Sequence, residues 1–244
     1  MYCCYVLPSQ ISGNTIHIDN SERHHLINVL RLKRGDEVQV FDGEGNSYIA
    51  VLGDTRSSVV NASICHHRFY AHTSPQITLF QGLPKSDKLQ LIVQKTTEIG
   101  VDQIVPMICQ RSIPKQTVAT QKKRQARWQR IAIEAAKQCK RPRFPKVLDT
   151  RKMTDCLEMA THLDLSILFW ENEEKQEIKV ILQNHRQIRS VGLFIGPEGG
   201  FSDEEVEDAI QSGCIPARLG DNILRTETAA IVGVALVVYE LRGL

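Results

Sequence analysis

No apolar run in the sequence approaches the roughly 20 residues that a membrane-spanning helix needs. The short apolar opening, MYCCYVL, has no basic stretch ahead of it, so a cytoplasmic protein is expected rather than a secreted one. The seven cysteines, Cys3, Cys4, Cys65, Cys109, Cys139, Cys156 and Cys214, are odd in number and show no C-x-x-C spacing. That pattern disfavours both a disulfide framework and a zinc ribbon. In the one local cluster, Cys65-His66-His67 with His72 nearby, adjacent side chains rarely converge on one ion, and no metal is expected. With 42% hydrophobic and 24% charged residues over 244 positions, the chain is neither disordered nor coiled-coil, and it can bury a core.

A net charge of +2 conceals a strong asymmetry. Residues 75–150 carry 15 basic and 5 acidic side chains, whereas residues 151–244 carry 9 and 16. A local excess of this size attracts polyanions, although a solvated helix face has the same composition.

The first 70 residues read as short strands. YCCYVL, NTIHI, DEVQVFDG, SYIAVLGD and SSVVNASI alternate or are β-branched, and they are separated by Gly, Asn and Asp turns. One helix, Ser21 to Leu30 with Asp19 or Asn20 as its cap, interrupts a small barrel or sandwich. Beyond Thr73 the rhythm becomes strand–helix–strand, which predicts a mostly parallel sheet covered on both faces. The expected domains are therefore residues 1–72, a small β-barrel, and residues 73–244, a larger α/β domain. Ser202-Asp203-Glu204-Glu205 has the form of a capping box. The final helix, ETAAIVGVALVVYEL, is apolar nearly all round and must be buried on two sides.

Two loops suggest a ligand site. The predicted strand Val191–Ile195 runs into Gly196-Pro197-Glu198-Gly199-Gly200, and the carboxyl ends of parallel strands are where ligands bind. The loop lacks the Lys-Ser/Thr of a phosphate-binding loop and the G-x-G-x-x-G spacing of a dinucleotide fold. The second loop, Leu219-Gly220-Asp221-Asn222-Ile223-Leu224-Arg225-Thr226-Glu227, combines apolar and charged groups as a pocket rim does. It reads equally well as a helix start with Thr226 as N-cap and Glu227 in the first turn. Along the helix expected over residues 121–140, Arg127, Ile131, Glu134, Gln138 and Arg141 share one stripe. Arg124 and its neighbours surround that stripe with positive charge, and Lys85, Lys88, Lys95 and Arg111 extend the patch.

Taken together, these motifs resemble the bacterial 16S ribosomal RNA uridine-N3 methyltransferases, a family of the SPOUT class of knotted methyltransferases. The resemblance runs through Arg31, Gly35-Asp36, Phe41-Asp42-Gly43, Lys85-x-x-Lys88, Lys95, Glu98-Ile99-Gly100-Val101, Arg111-Ser112, Arg127-Trp128, Glu134-Ala135-Ala136, Gln138 and Arg141. It is most specific at Ile195-Gly196-Pro197-Glu198-Gly199-Gly200-Phe201-Ser202 and Leu219-Gly220…Ile223-Leu224-Arg225-Thr226-Glu227-Thr228-Ala229. Asn222 departs from it, standing where the family often has Arg.

The resemblance implies an α/β fold in which a PUA-like β-barrel precedes a SPOUT domain with a deep trefoil knot. It implies S-adenosylmethionine as cofactor, held by Ile195, Gly196, Pro197, Glu198, Gly199, Gly200, Leu219, Gly220, Ile223, Leu224 and Thr226, with Ile223 and Leu224 against the adenine. It also implies a homodimer acting on 16S ribosomal RNA within the small ribosomal subunit. For the chemistry at uracil N3, Arg225 is the candidate for stabilising the developing anion, and Glu227 for orienting it or accepting the proton. Arg23, Arg31, Lys85, Lys88, Lys95, Arg111, Arg124, Arg127, Gln138 and Arg141 are the candidate RNA contacts. A noncatalytic RNA-binding or ribosome-assembly factor on the same fold is the alternative expectation.

Overall fold

The computed structural model describes residues 1–112 and 118–243. They form two compact units: Met1–His72 with Ile133–Phe144, and Thr73–Ala132 with Pro145–Leu244.

The first unit is built on a six-stranded sheet. Its strands are β1 (Tyr2–Tyr5), β2 (Ile11–Ser12), β3 (Thr15–Ile18), β4 (Glu37–Phe41), β5 (Asn46–Leu52) and β6 (Val60–Phe69), in the spatial order β1-β4-β5-β6-β3-β2. All pairings are antiparallel except β1 with β4. Sequence reading anticipated a barrel, but among the described residues no pairing joins β1 to β2, so the sheet is an open half-barrel. Period-two alternation sends Cys4, Ile16, Ile18, Val38, Val40, Ala50, Leu52, Val60 and Ala62 to one core. The helical segment begins as α1 (Asn20–Arg23) and widens into a π-type turn over His24–Val29, which places Leu26 in that core.

Residues 133–144 belong to this unit, whereas the strand–helix rhythm assigned them to the second domain. Three kinds of contact hold them there. Lys137 Nζ meets Glu22 Oε1 at 2.7 Å. Backbone bonds run from the Gly45 amide to Pro142 O (3.2 Å) and from the Phe144 amide to Gly43 O (3.0 Å). The Phe144 ring packs against Tyr5 and Phe41 at centroid distances of 5.1 and 6.5 Å.

The second unit is a parallel sheet of β7 (Gln76–Gly82), β8 (Gln103–Ile108), β9 (Lys146–Val147), β10 (Arg151–Lys152), β11 (Leu165–Phe169), β12 (Ser190–Ile195) and β13 (Ile215–Ala217). Its order is β10-β8-β7-β12-β11-β13, with β9 also paired to β8. The helices are α2 (Lys88–Ile99), α3 (Val118–Gln138, of which only the first part lies in this unit), α4 (Met153–Ala160), α5 (Ile178–Asn184), α6 (Asp203–Gln211) and α7 (Thr226–Arg242).

Alternate strand residues feed two cores. Ile77, Leu79, Ile104, Ile167, Leu193 and Ile195 pack with residues of α2, α3, α5 and α7. Phe80, Val105, Met107, Leu168 and Phe194 pack with α4 and α6. Burial on both faces explains why these strands read as continuous apolar runs. At its far end α7 is tied down by Arg242, which donates to Pro75 O and Gly100 O and pairs with Asp102.

Several boundaries differ from expectation for local reasons. α5 starts only at Ile178, because Glu173 Oε1 accepts the amides of Lys175 and Gln176 and holds them in a turn. α3 ends at Gln138, before Lys140 takes a positive φ of 58° and the Arg141 amide bonds back to Ala136 O. The capping box is present: Ser202 Oγ accepts the Glu205 amide at 3.2 Å, and Glu205 Oε2 accepts the Ser202 amide at 3.0 Å. Among the described residues, no helix is long and apolar enough to cross a membrane.

Candidate functional site

At the carboxyl ends of β11, β12 and β13, where open parallel sheets bind ligands, the two loops singled out by sequence face one cavity of about 370 Å³. Its wall includes Ile195, Gly196, Pro197, Glu198 and Gly200 from the first loop, and Leu219 to Thr226 from the second. Of the candidate cofactor residues, only Gly199 is not on the wall. Gly199 instead anchors the loop from behind, since its carbonyl accepts a 2.9 Å bond from Arg111 Nη1, which also donates to Phe201 O.

Thr226 locks the loops together. Its hydroxyl donates to Gly196 O at 2.6 Å and accepts from Gln81 Nε2 at 2.9 Å. Thr226 is therefore not the N-cap of α7. Arg225, in an extended conformation, precedes the helix, and the threonine side chain is engaged across the site. Two glycines are required for different reasons: Gly200 by its left-handed backbone, φ +67°, and Gly82 by close approach, since a side chain there would meet the Pro197 ring at 2.6 Å.

A charged bridge closes one side. The Glu198 carboxylate accepts the Lys85 amide (3.0 Å) and pairs with Lys88 Nζ (3.1 Å), and the same ammonium lies 3.3 Å from Glu227 Oε2. Burial pushes the Glu198 carboxyl upward, but backbone amides, including that of Lys85, and the Lys88 ammonium outweigh it and hold it below its ordinary value. Hydrogen bonding to Glu198 raises Lys88 in turn, with Glu227 adding to it. Arg225 stands exposed on the cavity wall, whereas Glu227 is half-buried and off the wall, linked to the site by the Lys88 ammonium. Ile223, 83% exposed, and the half-buried Leu224 form the apolar lip.

Phe169, Trp170, Glu171, Ala217 and Arg218 also line the cavity wall and carry no local signal in the sequence, while Asp221 and Asn222 line it from within the second loop. Phe169 and Ala217 end β11 and β13. Only the strand order, with β11 between β12 and β13, reveals that these three ends converge.

The candidate RNA contacts divide between the units and differ in how they are engaged. In the second unit, Lys88 belongs to the cavity bridge and Arg111 to the loop anchor, Lys95 pairs with Glu98 at 2.9 Å, and Lys85 is exposed. Arg124 covers the Trp128 ring at 4.9 Å, and Arg127 is exposed. In the first unit, Arg23 donates to Ser57 O and Thr55 O, Arg31 has φ +58° and is exposed, Gln138 is exposed and Arg141 is half-buried. Cys4, Cys109, Cys156 and Cys214 are buried, and desolvation raises all four, Cys156 and Cys214 to about 12.

Known proteins share this architecture. A family model described as an RNA methyltransferase domain matches residues 72–238, and one described as an RNA methyltransferase PUA domain matches residues 18–60. The chain is 31% identical over 237 residues to the ribosomal RNA small subunit methyltransferase E of Bacillus subtilis (strain 168), covering 94% of this chain and 93% of that one. The crystal structure of a ribosomal RNA small subunit methyltransferase E from Neisseria gonorrhoeae bound to S-adenosylmethionine superposes with a TM-score of 0.87 at 28% identity, over 99% and 98% of the two chains. A Legionella pneumophila methyltransferase in complex with the same cofactor gives 0.86 at 27% identity, over 97% and 96%. The family model alone spans well over half of the sequence, and the chain belongs to the RNA methyltransferase family whose members carry this PUA domain ahead of the methyltransferase domain.

Proposed function

We propose that the protein is an S-adenosylmethionine-dependent methyltransferase that methylates N3 of a uridine in 16S ribosomal RNA. The observation that carries this reading is the joining of two loops, distant in sequence, around one cavity by the Thr226 hydroxyl. The residues present fit the donor. Ile195, Leu219, Leu224 and Ala229 offer apolar walls, glycine backbone lies open between them, and the Glu171 carboxylate suits a cationic ligand. Ile195 to Gly200 and Leu219 to Thr226 would hold it. When bound, the donor supplies a methyl group made electrophilic by the neighbouring sulfonium.

The chain's own part is to ready the nucleophile. Uracil N3 bears a proton and is a poor nucleophile until that proton is lost or shared. The Arg225 guanidinium at the rim stabilises negative charge on the uracil carbonyl oxygens as it develops, and the proton leaves to water at the open mouth. Glu227 Oε2 lies 3.3 Å from Lys88 Nζ, an ion pair that suits it to orienting the rim. Glu198, spent on the Lys85 amide and Lys88, fixes the first loop. Holding two reactants in line supplies the remainder of the acceleration.

The deep trefoil knot, the cytoplasmic location and the homodimer belong to the same proposal. The homodimer draws support from α7, where Tyr239 is exposed and Ile231, Ala235 and Leu236 are only half-buried. Calorimetry with S-adenosylmethionine, combined with mass mapping of ribosomal RNA from cells with and without the protein, tests the reading. Donor binding and a single missing uridine methyl are expected; absence of either result overturns it.

A further inference from the structure

We propose that a row of rings on the sheet of the first unit, Tyr48, His67 and Phe69 with Arg143 beside them, is a stacking platform for the bases of single-stranded RNA. The proposal rests on the reading of the chain as an RNA-modifying enzyme, and it assigns that RNA a second point of contact.

The argument begins with register. Tyr48 on β5 lies directly opposite His67 on β6, and Asn46 lies opposite Phe69, so all four side chains share one face of the hairpin. The Tyr48 and His67 rings stack at 4.7 Å with an interplanar angle of 13°, and His67 Nε2 is tied to Asn46 Oδ1 at 2.8 Å. This end of β6 does not serve the core. Its buried alternation stops at Ala62, the register shifts by one residue between Ile49 and Ala50, and residues 65–69 are exposed on both faces. Phe69 is 59% exposed. Tyr48 is half-buried and packs one side on the core of the unit, but the core has no use for the exposed His67 and Phe69 rings that continue the row, and aromatic faces of this kind are what unpaired bases stack on.

Charge points to the same partner. The Arg143 guanidinium lies 5.2 Å over the Phe69 ring, and it is held there by bonds to Tyr70 O (2.8 Å) and His72 Nε2 (3.0 Å). On the other face, Arg68 covers Tyr70 at 4.6 Å. Among the described residues neither arginine has a carboxylate partner. The nearby Asp42 is turned inward, accepting the amides of Glu44 and Asn46. The rings therefore lie beside guanidinium groups able to take phosphate oxygens, the pairing that single strands require and that an apolar protein partner would leave unused.

The test uses the full-length protein and a fluorescein-labelled ten-nucleotide single-stranded RNA of mixed sequence. Phe69→Ala should weaken binding at least about five-fold, the loss expected for one stacked base, with donor affinity unchanged. Phe69→Trp should keep wild-type affinity, and its added emission should be quenched by the RNA. An unchanged Kd for Phe69→Ala, or an indole that RNA does not quench, overturns the platform. A change in sedimentation of Phe69→Ala without RNA overturns it too, by marking the row as a contact between copies. Should Phe69→Ala fail to fold, the quench decides alone. A wild-type protein that binds no S-adenosylmethionine refutes the enzymatic reading instead, so the two failures are distinct.

Discussion

Arg225 is exposed at the rim of the cavity, and no hydrogen bond or ion pair of its side chain is seen among the described residues. A guanidinium so placed contributes little to the fold and can act on charge that forms only during reaction. Arg225→Ala is therefore expected to slow methyl transfer by about 100- to 1,000-fold, the usual effect of removing one donor to a developing oxyanion, while calorimetric donor affinity stays within about two-fold. Equal losses in both would show that the side chain binds the donor. Thr226 behaves oppositely, because its hydroxyl is buried and engaged on both sides. Thr226→Val removes both bonds and strands a buried carbonyl and an amide. A loss of about 1–3 kcal/mol is expected, seen as a melting point lower by roughly 2–4 °C per kcal/mol, together with weaker donor binding.

At the scale of elements, the loop from Gly196 to Gly200 is held by charge as well as by packing. Glu198 is held below the ordinary carboxylate range, so it stabilises the loop wherever it is ionised, and that support is lost only as pH falls through its lowered value. Donor affinity should be flat from neutral to mildly acidic pH and decline below the ordinary carboxylate range; in Glu198→Gln that acid limb should be shallower. A decline that starts near neutrality would point to another group.

This loop and its partner were legible in the sequence because their signals are local: a glycine run after an apolar strand, and an S-x-x-E box opening the next helix. The Thr226 linkage was not legible, because an N-cap threonine and a threonine bonded across the sheet have the same neighbours in sequence. Lys88 was equally opaque. Its spacing from Lys85 suggests a phosphate-seeking pair, and only the fold brings Glu198 and Glu227 to it. The half-barrel was half readable: alternation located its strands, but whether the edges pair is a matter of distant contacts.

For the molecule as a whole, the division of α3 matters most. The helix is one continuous run, yet from Ile133 onward its residues, with the segment to Phe144, are packed against Glu22, Gly43, Gly45 and the rings of Tyr5 and Phe41. The chain therefore passes between the units three times, not once. A fragment starting at residue 73, the natural place to cut by sequence, would carry Ile133–Phe144 away from everything that shelters it. Expressed alone, it should bind a hydrophobic dye and precipitate on concentration, and co-expression with residues 1–72 should restore solubility. The small N-terminal piece is thus less an appendage than a socket, and the enzyme can be shortened only by redesigning the plug.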